Sequence, residues 1–444
     1  MGWEAYLKRR GLRLDRARES QFSDAWFTVT ALFFLLGLVL RVTALVHMAL
    51  FMVSIVGIAW LWALATLWRL SFAHVFSEKR AFAGEQITLR LRVENRKPIP
   101  IPWVRVREYV PDRLPLEGAR VTPSHRPRQH LLQAVFALRW FQRADRLVTV
   151  DCKQRGFYAF GPITLEASDP FGFFIARRKV LDETWLIVYP RVEPLPKLGL
   201  PAKNPLGNVK IDQPLFEDPI RTVGVRDYQP QDDFRRVHWK ASARRQRLQS
   251  KVFEHTTSHN IVVVLNTATL KPHWAGVIPP LLERGVSVAA SIAYYAAEQR
   301  WPVGLIANGV LPRSDQPLRV PPGRGTDQLT LIFEMLAAVT PIVTVPIEEL
   351  LRRESPRMPM GATFVVITPI VDEELVATLQ ELRAEGRRIV LVSLAASPPP
   401  LEDLYGITTY HLPWHPDDGD EGAAVDAETL AAAFAYPEGG VPHG

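Results

Sequence analysis

The sequence is almost without cysteine: Cys152 is the single thiol in 444 residues. This excludes an intrachain disulfide and a zinc site built from cysteines. A chain of this length is too long for one compact core, so we expect two or three domains. The formal net charge of +7 fits a protein close to an anionic surface, either a membrane or a nucleic acid, and does not choose between them.

Charge is also missing from two long stretches near the N-terminus. Residues 25–40 and 42–68 contain no charged side chain, and Arg41 stands between them. Together they are too long for one span, which needs about 20 apolar residues, so the pattern predicts a two-helix transmembrane hairpin over residues 23–70. A cleaved signal peptide is the alternative. It fits less well, because the apolar run is too long and no small-residue cleavage site follows cleanly.

Basic residues set the predicted orientation of this hairpin. They are frequent before the first stretch and after the second, whereas the connecting turn carries only Arg41. The positive-inside rule then places the N-terminal segment, residues 1–22, and the whole chain beyond residue 70 in the cytoplasm. No later segment is long and apolar enough to span, which argues against a polytopic transporter subunit.

The middle of the chain has the pattern of a β-domain. In the stretch "EQITLRLRVEN", apolar and polar residues alternate strictly, as in a half-buried antiparallel strand. Similar stretches follow without intervening helices, so residues 71–200 are predicted to form a β-sandwich. Asp169 lies in a turn of this region, and we interpret it as a cap of its own turn rather than as a catalytic or metal-binding group.

Residues 259–416 follow a different pattern, in which buried strands alternate with helices. This predicts an α/β domain with a doubly wound, mostly parallel sheet. Ligands bind such sheets beyond the carboxyl ends of the strands, and we expect that edge to comprise residues 265–270, Thr326, Asp327 and residues 368–374. Residues 417–444 are acidic and rich in Gly, Ala and Pro, so we expect a disordered tail.

A charged and aromatic segment, "RDYQPQDDFRRVHWKASAR", lies within the predicted linker, residues 201–258. A hydrolase site is one interpretation, with His238 as base and Ser242 as nucleophile, but no oxyanion donors or Gly-rich elbow accompany them. Nucleic-acid binding is another, with Tyr228 and Trp239 stacking on bases. It is disfavoured because acidic residues share the segment and no nucleic-acid module is present.

The favoured interpretation of this segment is a structural clasp between domains that also offers a partner-binding surface. Arg and Asp alternate in a way that suits bidentate ion pairs. We expect a helix that begins at Asp232 or Asp233 and buries Phe234, Val237 and Ala241. The predicted clasp residues are Arg226, Asp227, Tyr228, Asp232, Asp233, Arg235, Arg236, His238, Trp239, Lys240 and Arg244.

The chain resembles the bacterial membrane proteins that carry "domain of unknown function 58". The likeness rests on the segment just described, on Arg155, Gly156, Tyr158, Gly161 and Pro162, on the "DPFGFF" turn after Ser168, on the strand at 260–266, and on "PPGRG" at 321–325. The resemblance implies a two-span anchor in the cytoplasmic membrane, a β-sandwich and a von Willebrand factor type A-like domain, with no established enzymatic activity. It also implies a place in an envelope-associated assembly, with a MoxR-type AAA+ ATPase as the suspected partner.

Two departures from the family pattern bear on function. Gln231 stands where the family usually has Gly. Type A domains that bind metal use an Asp-x-Ser-x-Ser loop, whereas this loop begins with Asn266 and ends with Leu270. Without the anionic ligand, a Mg²⁺ site formed by Asn266, Thr269 and Asp372 should be weak. The leading hypothesis is therefore a non-enzymatic scaffold without a cofactor, and the alternative is a metal-dependent binding module.

Overall fold

A computed structural model of the chain describes residues 12–16, 21–180, 183–201, 205, 217–230, 232–255, 260–312, 314, 316–400 and 402–413. The predicted acidic tail and Gln231 lie outside these residues, as does much of the predicted linker. The chain divides into two compact units, Met1–Tyr189 and Pro190–Gly444.

Two apolar helices open the first unit. Helix α1 (Gln21–Val39) and helix α2 (Thr43–Thr66) are joined by a turn in which Arg41 has a positive φ of 53°. The helices pack closely at Gly37, where an added Cβ atom would lie only 2.9 Å from Cγ2 of Val46. By length and composition α2 could cross a membrane, while the apolar part of α1, Ala25–Val39, is shorter.

The rest of the first unit is β-structure, as the alternating pattern predicts. It forms sheets ordered β1-β12-β11-β5-β8-β7, β2-β4-β9-β6 and β10-β13-β3. The strands are β1 (Leu12–Arg16), β2 (Leu70–Phe76), β3 (Arg80–Phe82), β4 (Gln86–Asn95), β5 (Ile101–Pro111), β6 (Leu116–Glu117), β7 (Arg120–Pro123), β8 (Gln129–Leu138), β9 (Arg143–Asp151), β10 (Gly156–Phe160), β11 (Ile163–Ser168), β12 (Phe174–Val180) and β13 (Thr184–Tyr189).

The core of this unit follows directly from strand periodicity. In β4 the apolar residues Ile87, Leu89, Leu91 and Val93 are buried, while the side chains between them are partly or fully exposed. They belong to one cluster with residues of the other sheets, including Val106 of β5. Cys152 is also buried in this cluster, and burial raises the pKa of its thiol to about 12.

The C-terminal end of α2 is held by two cations of the β-structure. The last carbonyls of a helix have no partner within the helix and carry the negative end of its dipole. The ammonium of Lys97 donates to the carbonyls of Thr66 (2.5 Å) and Trp68 (2.9 Å). The guanidinium of Arg178 donates to the carbonyls of Leu67 and Leu70. The helix therefore ends in a fixed attachment to the strands.

The second unit combines a hairpin with an α/β sheet. The hairpin pairs β14 (Glu217–Asp227) with β15 (Gln249–His255), and α3 (Trp239–Arg245) lies between them in sequence. The remaining strands are β16 (Ile261–Leu265), β17 (Val303–Val310), β18 (Pro317–Gly323), β19 (Thr363–Thr368), β20 (Arg388–Ser393) and β21 (Thr408–His411). The remaining helices are α4 (Pro279–Glu298), α5 (Thr326–Ala338), α6 (Ile347–Glu354) and α7 (Glu373–Ala384).

The α/β sheet has the order β18-β17-β16-β19-β20-β21. Strands β17, β16, β19, β20 and β21 run parallel, and β18 is an antiparallel edge strand. Every residue of β16, β17 and β19 is buried, which explains their continuous apolar runs. The chain leaves β16 for β17 on one side and later reaches β19 on the other. The carboxyl ends of β16 and β19 therefore flank the place where ligands bind in sheets of this type.

Candidate functional site

The carboxyl edge of the α/β sheet is closed by a network of neutral hydrogen bonds. Oδ1 of Asn266 accepts from the N–H of Ala268 (3.0 Å) and from Nδ2 of Asn308 (2.9 Å), and Nδ2 of Asn266 donates to the hydroxyl of Thr368 (3.0 Å). The backbone N–H and hydroxyl of Thr267 both donate to Oδ1 of Asn308. The side chains at the carboxyl ends of β16, β17 and β19 are thus bonded to one another.

The other two predicted metal ligands also have protein partners. The hydroxyl of Thr269 accepts from the N–H of Ile278 at 2.7 Å. The carboxylate of Asp372 caps α7 by accepting from the N–H of Leu375 (2.9 Å), and its second oxygen accepts from Nζ of Lys271 (2.5 Å). Burial alone would raise the pKa of Asp372. The hydrogen bonds from Lys271 and Leu375 outweigh this effect, so the pKa lies below its usual value. The same bond raises the pKa of Lys271.

This donor set fits a divalent cation poorly. Mg²⁺ requires near-octahedral oxygen ligands, usually with at least one free carboxylate. Asp372 is the one carboxylate among the three predicted ligands, and an ammonium already neutralises it. Among the described residues, no group of three or more His, Cys, Asp or Glu side chains is arranged to hold a metal. Lys271 therefore competes with any cation for the Asp372 carboxylate.

Two residues predicted at this edge lie elsewhere. Thr326 and Asp327 begin α5, which follows β18. Because β18 is antiparallel and Gly323 at its end pairs with Val303 at the start of β17, these residues lie at the amino edge of the parallel strands. The expectation that they join residues 265–270 is therefore wrong. The sequence pattern predicts strand positions but does not reveal the reversed direction of one edge strand.

Exposed apolar side chains stand at the carboxyl edge beside the closed network. Trp274 lies in the connection between β16 and α4 and is 77% exposed. Ile342 is also exposed, and its backbone carbonyl accepts from the N–H of Val310 at the end of β17. An edge with satisfied polar groups and exposed apolar groups is suited to protein contact more than to chemistry.

The segment at 226–244 differs in part from the predicted helix. A short 3-10 turn covers Phe234–Arg236, and α3 begins only at Trp239, with His238 as its N-cap. Phe234, predicted as buried, is 61% exposed, whereas Val237 is buried as predicted. The imidazole of His238 provides the cap by accepting from the N–H of Ala241 at 3.1 Å, so Asp232 and Asp233 do not serve as the cap.

Asp232 instead organises a clasp inside this segment. Its carboxylate accepts from both terminal nitrogens of Arg226, at 2.8 and 2.5 Å, and from the N–H of Gln229 at 3.0 Å. The hydrogen bond from Arg226, followed by that from Gln229, lowers the pKa of Asp232. The hydroxyl of Tyr228 donates to the backbone carbonyl of Asp232. These bonds form the bidentate pair that the alternation of Arg and Asp predicts.

The segment is also tied to β15. The side-chain amide of Gln249 donates to Asp227 at 2.5 Å, and the N–H of His238 donates to the carbonyl of Gln249. The clasp therefore acts within the hairpin of the second unit. Its predicted role in joining two domains stays a prediction, and the side chain of Arg235 lies outside the described part.

His238 and Ser242 are not placed as a base and a nucleophile. The hydroxyl of Ser242 donates to the backbone carbonyl of His238 (3.0 Å) and accepts from the N–H of Gln249 (2.9 Å). Since the imidazole serves as the helix cap, the two side chains perform structural roles. This geometry gives the hydrolase hypothesis no support.

The outer surface of the segment is aromatic and basic. Phe234 lies between Tyr228 and Trp239, with ring centroids 5.9 and 6.4 Å away. Trp239 is exposed, as are the side chains of Asp233, Lys240 and Arg244, while Arg236 is partly buried. Sequence reasoning missed Gln249, Lys271 and Asn308, because each acts through a partner distant in sequence.

Together these observations define a class of protein: a β-rich unit with at least one membrane-length apolar helix, and an α/β unit whose strand edge carries an Asn–Thr hydrogen-bond network and a Lys271–Asp372 ion pair. Residues 224–399 match the family model described as "Protein of unknown function DUF58". The resemblance predicted from the sequence is thereby confirmed for this part of the chain.

The similar proteins add little about function. The "Uncharacterized protein YeaD" of Bacillus subtilis (strain 168) is 24% identical over 230 residues, which is 51% of this chain and 53% of that protein. A CARDB domain from Pyrococcus furiosus and a cohesin module from Clostridium perfringens each cover 27% of this chain and 91% and 95% of their own. Their identities to this chain are 12% and 9%, with TM-scores of 0.17 and 0.20.

Proposed function

We propose that the protein is a non-enzymatic, membrane-anchored interaction protein of the bacterial cytoplasmic membrane. In this proposal α1 and α2 form a two-span hairpin, both units lie in the cytoplasm, and the α/β unit is a von Willebrand factor type A-like domain. This domain binds a partner protein in an envelope-associated assembly, and the suspected partner is a MoxR-type AAA+ ATPase.

The proposal rests on the arrangement of polar and apolar side chains at the carboxyl edge of the α/β sheet. Asn266, Asn308 and Thr368 use their polar groups on one another, and Lys271 occupies Asp372. These polar side chains are engaged with one another, and the same edge presents exposed apolar surface at Trp274. Exposed aromatic residues are the usual anchors of protein interfaces.

The strand order supports the type A-like assignment. Counted within this sheet, β16 to β21 follow the order 3-2-1-4-5-6, the doubly wound arrangement, with the third strand reversed. The helices support membrane anchorage. Leu35, Leu50 and Phe51 expose large apolar side chains, an arrangement that is unfavourable in water and natural in lipid.

The clasp supports a second contact area on the same unit. The Arg226–Asp232 pair fixes the hairpin, and Phe234 and Trp239 then extend from a rigid base. Preorganised aromatic side chains lose little conformational entropy on binding. We infer that this surface supplements the carboxyl edge in partner binding.

Co-purification from mildly solubilised membranes tests the proposal. The wild-type chain should retain a AAA+ ATPase, identified by mass spectrometry, and Trp274→Ala should lose most of it, since truncation of an aromatic hot spot costs about 2 kcal/mol or more. Tyr405→Ala is the matched control, because Tyr405 is also highly exposed but precedes β21 at the opposite edge. Equal recovery from all three proteins, or no ATPase with the wild type, would contradict the proposal.

A further inference from the structure

Two turns of the first unit expose aromatic side chains. The turn between β8 and β9 carries Trp140 and Phe141, which are 64% and 68% exposed. The turn between β11 and β12 carries Phe171, which is 51% exposed. Large aromatic side chains grouped at turn tips are unusual on a surface that meets only water, so they indicate a contact surface.

The β8–β9 turn is connected to the end of helix α2. The N–H of Phe141 donates to the backbone carbonyl of Lys97 at 3.2 Å. The ammonium of Lys97 in turn binds the carbonyls of Thr66 and Trp68, where the helix ends. Trp140 and Phe141 therefore lie next to the C-terminal end of α2.

The β11–β12 turn contacts helix α1 directly. The carboxylate of Asp169 shapes the turn by accepting from the N–H groups of Phe171 (2.8 Å) and Phe174 (2.7 Å). Phe173 packs edge-on against Trp26 of α1, with ring centroids 5.6 Å apart, and lies 6.2 Å from Phe171. If α1 lies in a bilayer, its contact with Phe173 places this turn at the bilayer surface.

Basic residues surround the β8–β9 turn. Arg139 and Arg143 flank the turn in sequence and are exposed. Arg69 lies over the ring of Trp68, and its backbone carbonyl accepts from the N–H of exposed Arg96. Two carboxylates oppose them: Glu94 pairs with Arg96, and Asp145 pairs with Arg92 at 2.9 Å and lies 3.6 Å from Arg143. The excess of positive charge and the exposed Trp and Phe side chains match the composition of a membrane interface.

We propose that these two turns form a second membrane contact, in which Trp140, Phe141 and Phe171 insert among the headgroups of an anionic phospholipid bilayer. The inference rests on the proposed function, because it uses the bilayer in which α1 and α2 are anchored. The β-structure would then be fixed against the membrane surface at three places instead of turning freely on its helices.

Fluorescence depth measurement on the full chain in phosphatidylglycerol-containing vesicles tests this inference. Trp140→Cys and Phe171→Cys each receive an environment-sensitive fluorophore, and nitroxide lipids quench it at headgroup or bilayer-centre depth. The native thiol needs no removal, because Cys152 is buried and its pKa is about 12. Both labels should emit as in an apolar environment and lose most of their emission to headgroup-level nitroxides.

Two control positions separate this inference from the anchor itself. Leu147→Cys places a label on an exposed position further along β9, where emission should stay water-like; Leu50→Cys places one within α2, where bilayer-centre nitroxides should quench it. A quenched Leu50 label with turn labels that resemble Leu147 would overturn the second contact and leave the anchor standing. Water-like emission from the Leu50 label would contradict the membrane anchor itself. Unchanged quenching at Trp140 in purely zwitterionic vesicles would overturn the assignment of an anionic surface.

Discussion

Single residues decide how the polar groups of this protein are used, and Lys97 is the clearest case. Its side chain is fully buried, and burial, with a smaller contribution from Arg178, lowers the pKa of its ammonium to about 8 from 10.5. The folded protein therefore binds fewer protons at this site than the unfolded chain between pH 8 and 10.5. Stability contributed by Lys97 should rise with pH across that window.

Comparison with Lys97→Met tests this expectation. The difference in thermal midpoint between wild type and variant, measured in detergent, should shift in favour of the wild type from pH 7.5 to pH 10. Lys79→Met is the control, because Lys79 is exposed and its replacement removes a lysine without removing a buried ammonium. A constant difference for Lys97→Met would show that its ammonium is not desolvated in the folded state.

Lys271 is a second residue whose position has a testable consequence. Because its ammonium neutralises Asp372, we expect no calorimetric heat and no thermal shift on addition of millimolar Mg²⁺ or Mn²⁺. Asp372→Asn is a suitable comparison, since asparagine still caps a helix but removes the charge. Saturable binding to the wild type that Asp372→Asn abolishes would contradict this expectation and revive the metal-dependent alternative.

At the scale of elements, the clasp predicts graded effects on the β14–β15 hairpin. Arg226→Ala removes one partly exposed bidentate pair, so we expect a loss of about 1 kcal/mol or less. Asp232→Ala also removes the acceptor of the Gln229 N–H, so we expect a larger loss of stability than for Arg226→Ala. Hydrogen exchange of the amides in residues 226–237 should accelerate in that order.

Lys240→Ala provides the control for this series, because Lys240 is exposed on α3 of the same segment. Its hydrogen exchange should equal that of the wild type. Equal protection in all four proteins would show that the Arg226–Asp232 pair does not stabilise the hairpin.

Periodicity predicted the elements that bury one face or both faces. The alternation in β4 and the apolar runs of β16, β17 and β19 identify strands because burial alone dictates those patterns. Pairing over long sequence distances leaves no such pattern. The pairing of β1 with β12 and the antiparallel direction of β18 were not predicted for this reason.

The clasp shows the same limit within one segment. Its composition predicted the Arg226–Asp232 pair, since oppositely charged side chains that are close in sequence attract each other. The helix start was predicted incorrectly, because Asp232 caps helices well in general but is here already engaged by Arg226 and Gln229. His238 then supplies the cap, an outcome that depends on the three-dimensional competition for Asp232.

For the whole molecule, the proposals combine into one arrangement that membrane topology can test. If α1 and α2 form a two-span hairpin with both units in the cytoplasm, the turn around Val42 lies outside the cell and Tyr405 lies inside. A membrane-impermeant maleimide applied to intact spheroplasts should label Val42→Cys and should label Tyr405→Cys only after lysis. Both positions are exposed, and the buried Cys152 should give little background. Labelling of Tyr405→Cys in intact cells would place the α/β unit outside and exclude a cytoplasmic ATPase as its partner.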